Sequence, residues 1–467
     1  MKRQFTAAGS APPATGSGIT GKGRWKNPIL RGALAVLGIQ LILTALVFLP
    51  TPHTGGDNAA YITLAHSLLE EGAYVELWDP QEPMHTKYPP VFPLLLAATM
   101  ALGVKGWVGL KAVPFLSTLL AGLATFLWVR GRAGVMMGVG VALILAFSDG
   151  VLYYSRWILS DPLFLALTLG ALWALEKGEG GVGDVGGKDA AAGHSADREI
   201  PAGKDRGAEK GMPAENDMPG GKGMPPERDR LSYRWSWLGL GFALVTLAYF
   251  TRSAGLPLVA ATLLWLGMRR WWRPMMAFAV VFVLPAFFWW LRGRQVGGGD
   301  YISEFWLLDP YQPELGRAGP GDLAVRIWDN LVSYATTLIP EGIVGGQGPL
   351  LPVLGLALVG LAVLGWARGL IRRPRVAELF FPLYAGLMFL WPQVWSGDRF
   401  ALPLIPLLLF YAGSGLLFLM AGIRPFARNL VLGSAFLILV LPAGRNWMAE
   451  VQAAGTCRRL AAGGDPW

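Results

Sequence analysis

The sequence predicts an all-α protein that crosses a membrane many times. Hydrophobic residues make up 53% of its 467 residues and charged residues only 15%, and the mean hydropathy is +0.43. Soluble globular chains are closer to one quarter charged. Many of the 20 tryptophans stand near the ends of apolar runs, as in the aromatic belts of membrane proteins. These observations exclude an ordinary soluble globular fold.

The apolar runs indicate how often the chain crosses. A spanning helix needs about 20 mostly apolar residues, and eleven runs approach or exceed this length. They are 30–50, 107–129, 134–152, 157–175, 235–251, 254–268, 274–292, 349–367, 377–395, 400–421 and 429–446. A further apolar stretch, 91–104, is shorter than a span. It is either a re-entrant or interfacial segment or a short crossing. We expect about 11–13 transmembrane helices, and we favour eleven full crossings.

The distribution of basic residues predicts the orientation. Lys and Arg are frequent before the first run and in alternate loops, and such regions remain in the cytoplasm. The amino terminus is then cytoplasmic and the carboxyl terminus is not. Two long polar segments, 51–106 and 293–348, face the non-cytoplasmic side. The net charge of +9 therefore reflects topology, and we expect no nucleic-acid partner.

Two segments differ in composition from the helical part. Residues 1–27 are rich in small residues and proline, and 177–233 combine Gly, Ala, Pro and charges with almost no aromatic residues. Neither can bury enough apolar surface to fold, so we predict that both are disordered and cytoplasmic. The second divides an N-terminal transmembrane module, 28–176, from a C-terminal one, 234–448. A short tail, 449–467, follows.

The first external segment contains candidate catalytic residues. Asp57 follows the first apolar run, and the residues from Tyr61 onward have helical spacing. Asp57 is therefore either the cap of a helix or a general base at the membrane surface. Further on, Lys87 and Tyr88 precede two prolines. The lysine is either an interfacial anchor or a point charge for a phosphate.

Three more charged residues lie at the outer ends of apolar runs. Asp161, in Ser-Asp-Pro, is either a helix cap or a functional intramembrane acid, with Arg156 as a nearby candidate partner. Arg252 and Arg399 lie on the outer side, against the trend of the other basic residues. They indicate an anionic ligand such as phosphate, or pairing with a local carboxylate such as Asp398.

Other chemistry finds less support. No P-loop or dinucleotide-binding pattern is present, so a nucleotide-sugar donor is not expected. Cys457 is the single cysteine, which excludes an intrachain disulfide. His53, His66 and His85 match no standard metal-binding spacing, and a divalent metal ion stays open as a cofactor.

Taken in order, the motifs resemble the GT-C superfamily, specifically bacterial relatives of the protein O-mannosyltransferases and the lipid A aminoarabinose transferases. The segments that carry the resemblance are Asp-x-x-x-Tyr at 57–61, Lys-Tyr-Pro-Pro at 87–90, Ser-Asp-Pro at 160–162, Thr-Arg-Ser-x-Gly-Leu at 251–256 and Arg-Phe-x-Leu-Pro-x-x-Pro at 399–406. The resemblance excludes 1–27 and 177–230. It implies a GT-C fold with a helical first external loop.

The resemblance also implies an inverting transferase with a polyprenyl-phosphate-linked sugar as donor and a lipid, glycan or protein as acceptor. It places the enzyme among the lipids of the bacterial inner membrane, with its site facing the periplasm or exterior. The implied catalytic residues are Asp57 and Asp161. The implied substrate-binding residues are Lys87, Tyr61, Tyr88, Arg252 and Arg399.

One departure and one rival interpretation accompany the resemblance. Asn58 follows Asp57 where protein O-mannosyltransferases carry Asp-Glu, which argues against protein mannosylation. The rival interpretation is a transporter or lipid flippase without transferase activity. It predicts charges near the bilayer midplane and internal repeats with broken helices. The sequence has no clear matching halves, and its candidate charges cluster at one face.

Overall fold

The computed structural model describes residues 27–52, 56–104, 106–180, 233–296, 301–346 and 348–463. Within these ranges the chain is helical, and extended pairing is limited to isolated bridges. The α-helices are α1 Pro28–Leu46, α2 Gly56–Glu70, α3 Val91–Ala101, α4 Trp107–Leu110, α5 Ala112–Phe147, α6 Asp149–Ser155, α7 Asp161–Gly178, α8 Trp235–Thr251, α9 Leu256–Met268, α10 Trp272–Val296, α11 Tyr301–Phe305, α12 Pro320–Ser333, α13 Ile339–Val344, α14 Leu351–Arg372, α15 Val376–Leu390, α16 Asp398–Ala401, α17 Leu404–Leu419 and α18 Pro425–Gly463.

The helices confirm a polytopic all-α membrane protein. Five helical stretches in the described residues are long and apolar enough to cross a membrane, namely α1, α4 with α5, α10, α14 and α18. The shorter apolar helices are α3, α8, α15, α17 and α9 with the turn before it, and the predicted crossing 157–175 corresponds to α7. Each of the eleven predicted crossings has a helical counterpart. The chain is therefore an integral membrane protein.

The second and third predicted crossings form a helical hairpin within α5. The backbone at Gly134 has φ 85° and ψ 172°, a conformation that an L-residue rarely adopts. A Cβ placed on Gly138 would lie 3.0 Å from the carbonyl oxygen of Phe126. Twelve residues of straight helix would separate them by about 18 Å. The chain therefore reverses at Gly134, and the returning arm ends at Phe147, earlier than predicted.

Two helices differ in length from ordinary spans. The eleven residues of α3 extend about 16 Å, well short of a hydrocarbon core of about 30 Å, as expected for a re-entrant or interfacial segment. At the other extreme, α18 continues from Pro425 to Gly463. Most of the segment expected to be a short tail, 449–467, is thus helical as far as it is described. Its Ala, Gln and Glu residues favour helix.

The central helix of the bundle is α7, which packs against both α5 and α8. It ends at Gly178, and Glu179 then pairs with Tyr233 in an antiparallel bridge. The chain thus leaves and rejoins the bundle at one place. Most of the predicted linker, and all of the predicted disordered N-terminus except Asn27, lies outside the described residues.

Helices α14 and α17 approach each other through glycines. A Cβ on Gly365 would lie 2.0 Å from the carbonyl oxygen of Tyr411, and one on Gly415 would lie 2.2 Å from that of Leu361. Small residues at membrane helix interfaces permit such close backbone contact.

We expect Gly365→Ala to reduce the free energy of unfolding by about 1–3 kcal/mol, because the added methyl group forces the two backbones apart. Gly360→Ala is the matched control in the same helix, since a Cβ there meets no atom within 4 Å. Thermal unfolding of both variants in one detergent measures the difference. Equal stability of the two variants would contradict this account of the crossing.

Candidate active site

A cavity of about 320 Å³ opens at one end of the helix bundle. It brings together side chains from the first external segment, the end of α8 and the segment around α16. Six of the seven predicted site residues line it, and Asp161 lies directly behind Arg252. The lining residues used below are Asp57, Tyr61, Lys87, Tyr88, Tyr154, Arg252, Trp391, Trp395, Arg399 and Phe400.

Asp57 is the second residue of α2, and its carboxylate turns into the cavity. It accepts a hydrogen bond of 2.8 Å from the Tyr88 hydroxyl and an ion pair of 2.5 Å from Arg399. Burial favours the neutral acid, but Arg399 and the Tyr88 hydroxyl outweigh it and lower the pKa of Asp57. The ion pair therefore stabilises the fold above the ordinary carboxylate pKa, and this contribution is lost as the pH falls through the lowered value.

Asp161 is the first residue of α7, and its side chain is only 3% exposed. Its Oδ1 atom is paired with the guanidinium of Arg252. The Nε atom of Arg399 lies 3.9 Å from the same oxygen. A carboxylate that is buried to this extent requires cationic partners to remain charged. Asp161 therefore anchors the two arginines from behind the cavity wall.

Two expected pairings are not observed. Arg399 pairs with Asp57, whereas Asp398 instead accepts a 2.6 Å hydrogen bond from the Tyr154 hydroxyl. Adjacent residues in the short helix α16 point in different directions, which separates their partners. Arg156 pairs with Glu450 of α18 at 2.5 Å and not with Asp161. Long-range packing determined both outcomes.

Both cavity arginines lie beside the ring of Phe400. The guanidinium carbon of Arg252 lies 4.9 Å from the centre of its ring, and that of Arg399 lies 5.0 Å away. The electron-rich face of the ring attracts both cations. An anion bound in front of this arrangement would meet two guanidinium groups at a fixed spacing.

Lys87 reaches the cavity from the segment before α3. Its ammonium donates a 2.9 Å hydrogen bond to Glu304 of α11 and lies 5.5 Å from the centre of the Trp395 ring. The side chains of Lys87 and Glu304 are 36% and 27% exposed. A half-exposed pair of this kind is still screened by solvent and contributes little stability. The Lys87 ammonium can therefore exchange the Glu304 carboxylate for another anion at a low cost in free energy.

Tyrosines and His85 fix the wall that carries Asp57. The Tyr61 hydroxyl lies 2.9 Å from the hydroxyl of Ser160, and its ring packs 5.0 Å from that of Tyr88. Burial raises the pKa of Tyr61 to about 12, so it remains a neutral hydrogen-bonding group. The Tyr88 amide donates to His85 Nε2, and His85 Nδ1 lies 2.7 Å from Glu76. Burial lowers the pKa of His85, in agreement with a neutral ring.

The surroundings of the histidines bear on whether a divalent metal ion is a cofactor. Within the described ranges, no group of three or more His, Cys, Asp and Glu side chains is arranged to hold a metal ion. Both ring nitrogens of His85 are engaged, and His66 pairs with Glu70. His53 lies outside the described residues.

The structure adds residues that sequence reasoning missed. Glu304, Tyr154, Trp391 and Trp395 contact or line the cavity. The two tryptophans fall within the predicted crossing 377–395. Helix α15 ends at Leu390, however, so both tryptophans lie in the segment that follows it. The Trp-Pro-Gln-Val-Trp-Ser-Gly sequence, with its proline and glycine, was the available signal. For Glu304 no local signal exists, because its partner lies 217 residues away.

A second cavity, of about 670 Å³, adjoins the first on the other side of Asp57, Lys87 and Tyr88. These three residues line both cavities. The Asp57 carboxylate therefore lies where two adjoining spaces meet, each large enough for part of a ligand.

A network of ion pairs occupies the opposite end of the bundle. Arg132 pairs with Glu176 and, at 2.5 Å, with Glu378. Glu179 pairs with Arg269 at 2.6 Å. Glu176 lies about 22 Å along α7 from the first residue of that helix, at about 1.5 Å per residue. The cavity and this network therefore lie at opposite ends of the helix bundle.

No protein-family model and no curated protein sequence matches the chain. Solved structures share its fold. ArnT from Cupriavidus metallidurans in the apo state matches with a TM-score of 0.52 at 14% identity, over 86% of this chain and 62% of that one. The same protein bound to undecaprenyl phosphate matches with a TM-score of 0.50 at 14% identity, over 92% and 74%. An Archaeoglobus fulgidus oligosaccharyltransferase in complex with zinc and sulfate matches with a TM-score of 0.52 at 14% identity, over 89% and 53%.

These matches confirm the GT-C fold, since ArnT and the oligosaccharyltransferase are both members of the GT-C superfamily. The chain spans about three fifths of the apo ArnT structure and about half of the oligosaccharyltransferase. At 14% identity the likeness concerns the fold. The activity of the protein depends on the residues of its cavity and does not follow from the fold alone.

Proposed function

We propose that this protein is an inverting glycosyltransferase that moves a sugar from a polyprenyl-phosphate donor to an acceptor at the non-cytoplasmic face of the membrane. The observation that carries the proposal is the convergence of Asp57, Lys87, Arg252 and Arg399 on one cavity at one end of an apolar bundle. Three cations suit a phosphate, and a carboxylate at the edge of the cavity suits an acceptor hydroxyl.

The donor phosphate would lie against Lys87, Arg252 and Arg399. As the bond between the anomeric carbon and the phosphate oxygen breaks, its electron pair remains on that oxygen. Fixed cations stabilise the charge that develops there. The aromatic rings of Trp395 and Phe400 line the same cavity and offer apolar surface to the sugar and the first part of the lipid.

Asp57 would accept the proton of the acceptor hydroxyl. The acceptor oxygen forms its bond to the anomeric carbon on the face opposite the departing phosphate, and the configuration inverts. The lowered pKa makes Asp57 a weak base. Such a base suffices where the leaving group departs early, since the acceptor hydroxyl becomes acidic only as its bond to carbon forms. Asp161 would act through Arg252 and Arg399 by holding them in place.

The distribution of charge supports the proposed orientation. Arg132, Arg269, Arg373 and Arg375 lie at the end of the bundle opposite the cavity. Under the positive-inside rule that end is cytoplasmic. In a bacterial inner membrane the cavity would then face the periplasm or exterior.

The test is sugar transfer by the purified protein in liposomes that contain a panel of polyprenyl-phosphate sugars. Release of free polyprenyl phosphate together with a glycosylated product of inverted configuration is the expected result. Flux of a solute or lipid across the liposome without donor turnover would instead favour the transporter or flippase interpretation.

Glu304→Gln is expected to tighten binding of polyprenyl phosphate about two- to fivefold. The variant removes the anion that competes with phosphate for Lys87, and an ion pair that solvent still reaches is worth about 0.2–1 kcal/mol. Equilibrium binding of labelled polyprenyl phosphate measures the change. Glu314→Gln, another carboxylate in the same external segment that lines neither cavity, should leave the affinity unchanged. Weaker binding by Glu304→Gln would mean that Glu304 holds Lys87 in position.

A further inference from the structure

We propose that the second cavity binds the acceptor, and that it selects a neutral or cationic hydroxyl-bearing headgroup over a phosphorylated one. This inference rests on the proposed transferase function and names the acceptor class. Four features of the cavity carry it: its junction with the first cavity, its floor, its charge and its rim.

The junction places the acceptor next to the base. Asp57, Lys87 and Tyr88 form the boundary between the two cavities. A hydroxyl that entered from the second cavity would approach Asp57 from the side away from Arg252. The phosphate of a donor in the first cavity would lie on the other side of the reacting carbon. Inversion requires this opposed arrangement of acceptor and leaving group.

The floor is a smooth face of α2. Gly56, Ala59, Ala60 and Thr63 line the cavity, and their spacing puts them on one side of the helix. The Thr63 hydroxyl donates to the carbonyl oxygens of Ala59 and Ala60. With side chains this small, a ring-shaped ligand can lie close to the helix backbone. The rim carries Trp78, which is 48% exposed and supplies a flat apolar surface for a sugar ring.

The charge of the two cavities is opposite. Three cations and the single carboxylate of Asp57 line the first cavity, whereas three carboxylates and the single ammonium of Lys87 line the second. The additional carboxylates are Glu76 and Glu304, whose side chains are 26% and 27% exposed. His85 contributes no charge, because burial lowers its pKa. An anionic headgroup is therefore attracted to the first cavity and repelled from the second.

The experiment compares acceptors that share an octyl chain and a hexose ring and differ in the group that sets their charge. Octyl glucoside, octyl glucosaminide and octyl glucoside 6-phosphate are offered to the purified protein with a donor that turns over, and kcat/KM is measured for each. Direct binding of the three glycosides without donor is measured in parallel. We expect the wild type to prefer the two unphosphorylated glycosides by about tenfold or more.

Two variants and a control locate the effect. Glu76→Gln should reduce the preference for unphosphorylated over phosphorylated glycosides about threefold, because it removes one of the repelling charges. The glutamine keeps a hydrogen-bonding partner for His85. Ala59→Leu should raise KM for every acceptor and weaken glycoside binding, while binding of polyprenyl phosphate stays unchanged. Ala59 is exposed, so leucine there is compatible with folding. Glu71→Gln, an exposed carboxylate that lines neither cavity, should behave as the wild type.

The possible outcomes separate this inference from the function on which it rests. Donor turnover with equal or better use of the phosphorylated glycoside would overturn the acceptor class. Donor turnover with unchanged acceptor KM in Ala59→Leu would overturn the location. Failure of any donor to bind or turn over would overturn the transferase function, and the acceptor assignment would fall with it.

Discussion

Replacing Asp57 by asparagine is expected to slow sugar transfer by a factor of about 10²–10⁴, the usual contribution of a general base. The amide keeps the size of the carboxylate and one oxygen that accepts a hydrogen bond from Arg399, while its NH2 group replaces the oxygen that accepts from Tyr88. It cannot take a proton from the acceptor at neutral pH. Donor binding should therefore persist while kcat falls, and single-turnover kinetics with saturating donor measures the difference.

The pH profile provides a second readout for Asp57. Because its pKa is lowered, the carboxylate stays ionised throughout the neutral range. The rate of transfer should be flat there and fall only in acid, as the pH drops through the lowered pKa. Asp149→Asn is a useful control, since this carboxylate lies outside the lining of the first cavity. Full activity in Asp57→Asn would show that another group serves as the base.

Arg252→Ala is expected to have the largest effect on stability, a loss of about 3–5 kcal/mol, together with the loss of donor binding. Its guanidinium is the partner of Asp161, and removing one member of a buried pair leaves the other charge uncompensated. Arg399 lies 3.9 Å from Asp161 and compensates only in part. Unfolding in mixed micelles with increasing sodium dodecyl sulfate measures the stability.

A double variant separates the two roles of Arg252. Replacing Asp161 by leucine and Arg252 by methionine removes both charges and fills the space with apolar groups. Such replacements are commonly neutral or stabilising. Stability should return while binding of polyprenyl phosphate stays lost. If the double variant bound the lipid as well as the wild type, Arg252 would have a structural role alone.

The fold was largely predictable because each crossing is a local property of the sequence. About 20 apolar residues in a row identify a helix wherever it packs. The reversal at Gly134 and the ends of α5 and α15 were less accessible. The reversal depends on which glycine adopts a positive φ. The ends of the helices depend on tertiary packing, which the local sequence does not determine to the residue. The hairpin shows that two correctly predicted crossings can be joined more tightly than their spacing suggests.

The predicted site residues do converge, because they stand near the ends of apolar runs or in the segment between two runs, and the bundle brings these parts of the chain together. Their partners were not predictable to the same extent. Arg399 pairs with Asp57, 342 positions away in the sequence, and not with its neighbour Asp398. Lys87 pairs with Glu304, 217 positions away. Pairing at such separations depends on tertiary packing. A single sequence provides no direct signal for it.

The most direct test of the account is a structure of the protein with bound polyprenyl phosphate, determined by cryo-electron microscopy in nanodiscs. We expect the phosphate to contact Lys87, Arg252 and Arg399 in the cavity beside Asp57, with Glu304 displaced from Lys87. The contradicting result is a phosphate bound elsewhere, for example near Arg445 in the apolar groove between α14 and α18. In that case the cavity beside Asp57 would not be the donor site.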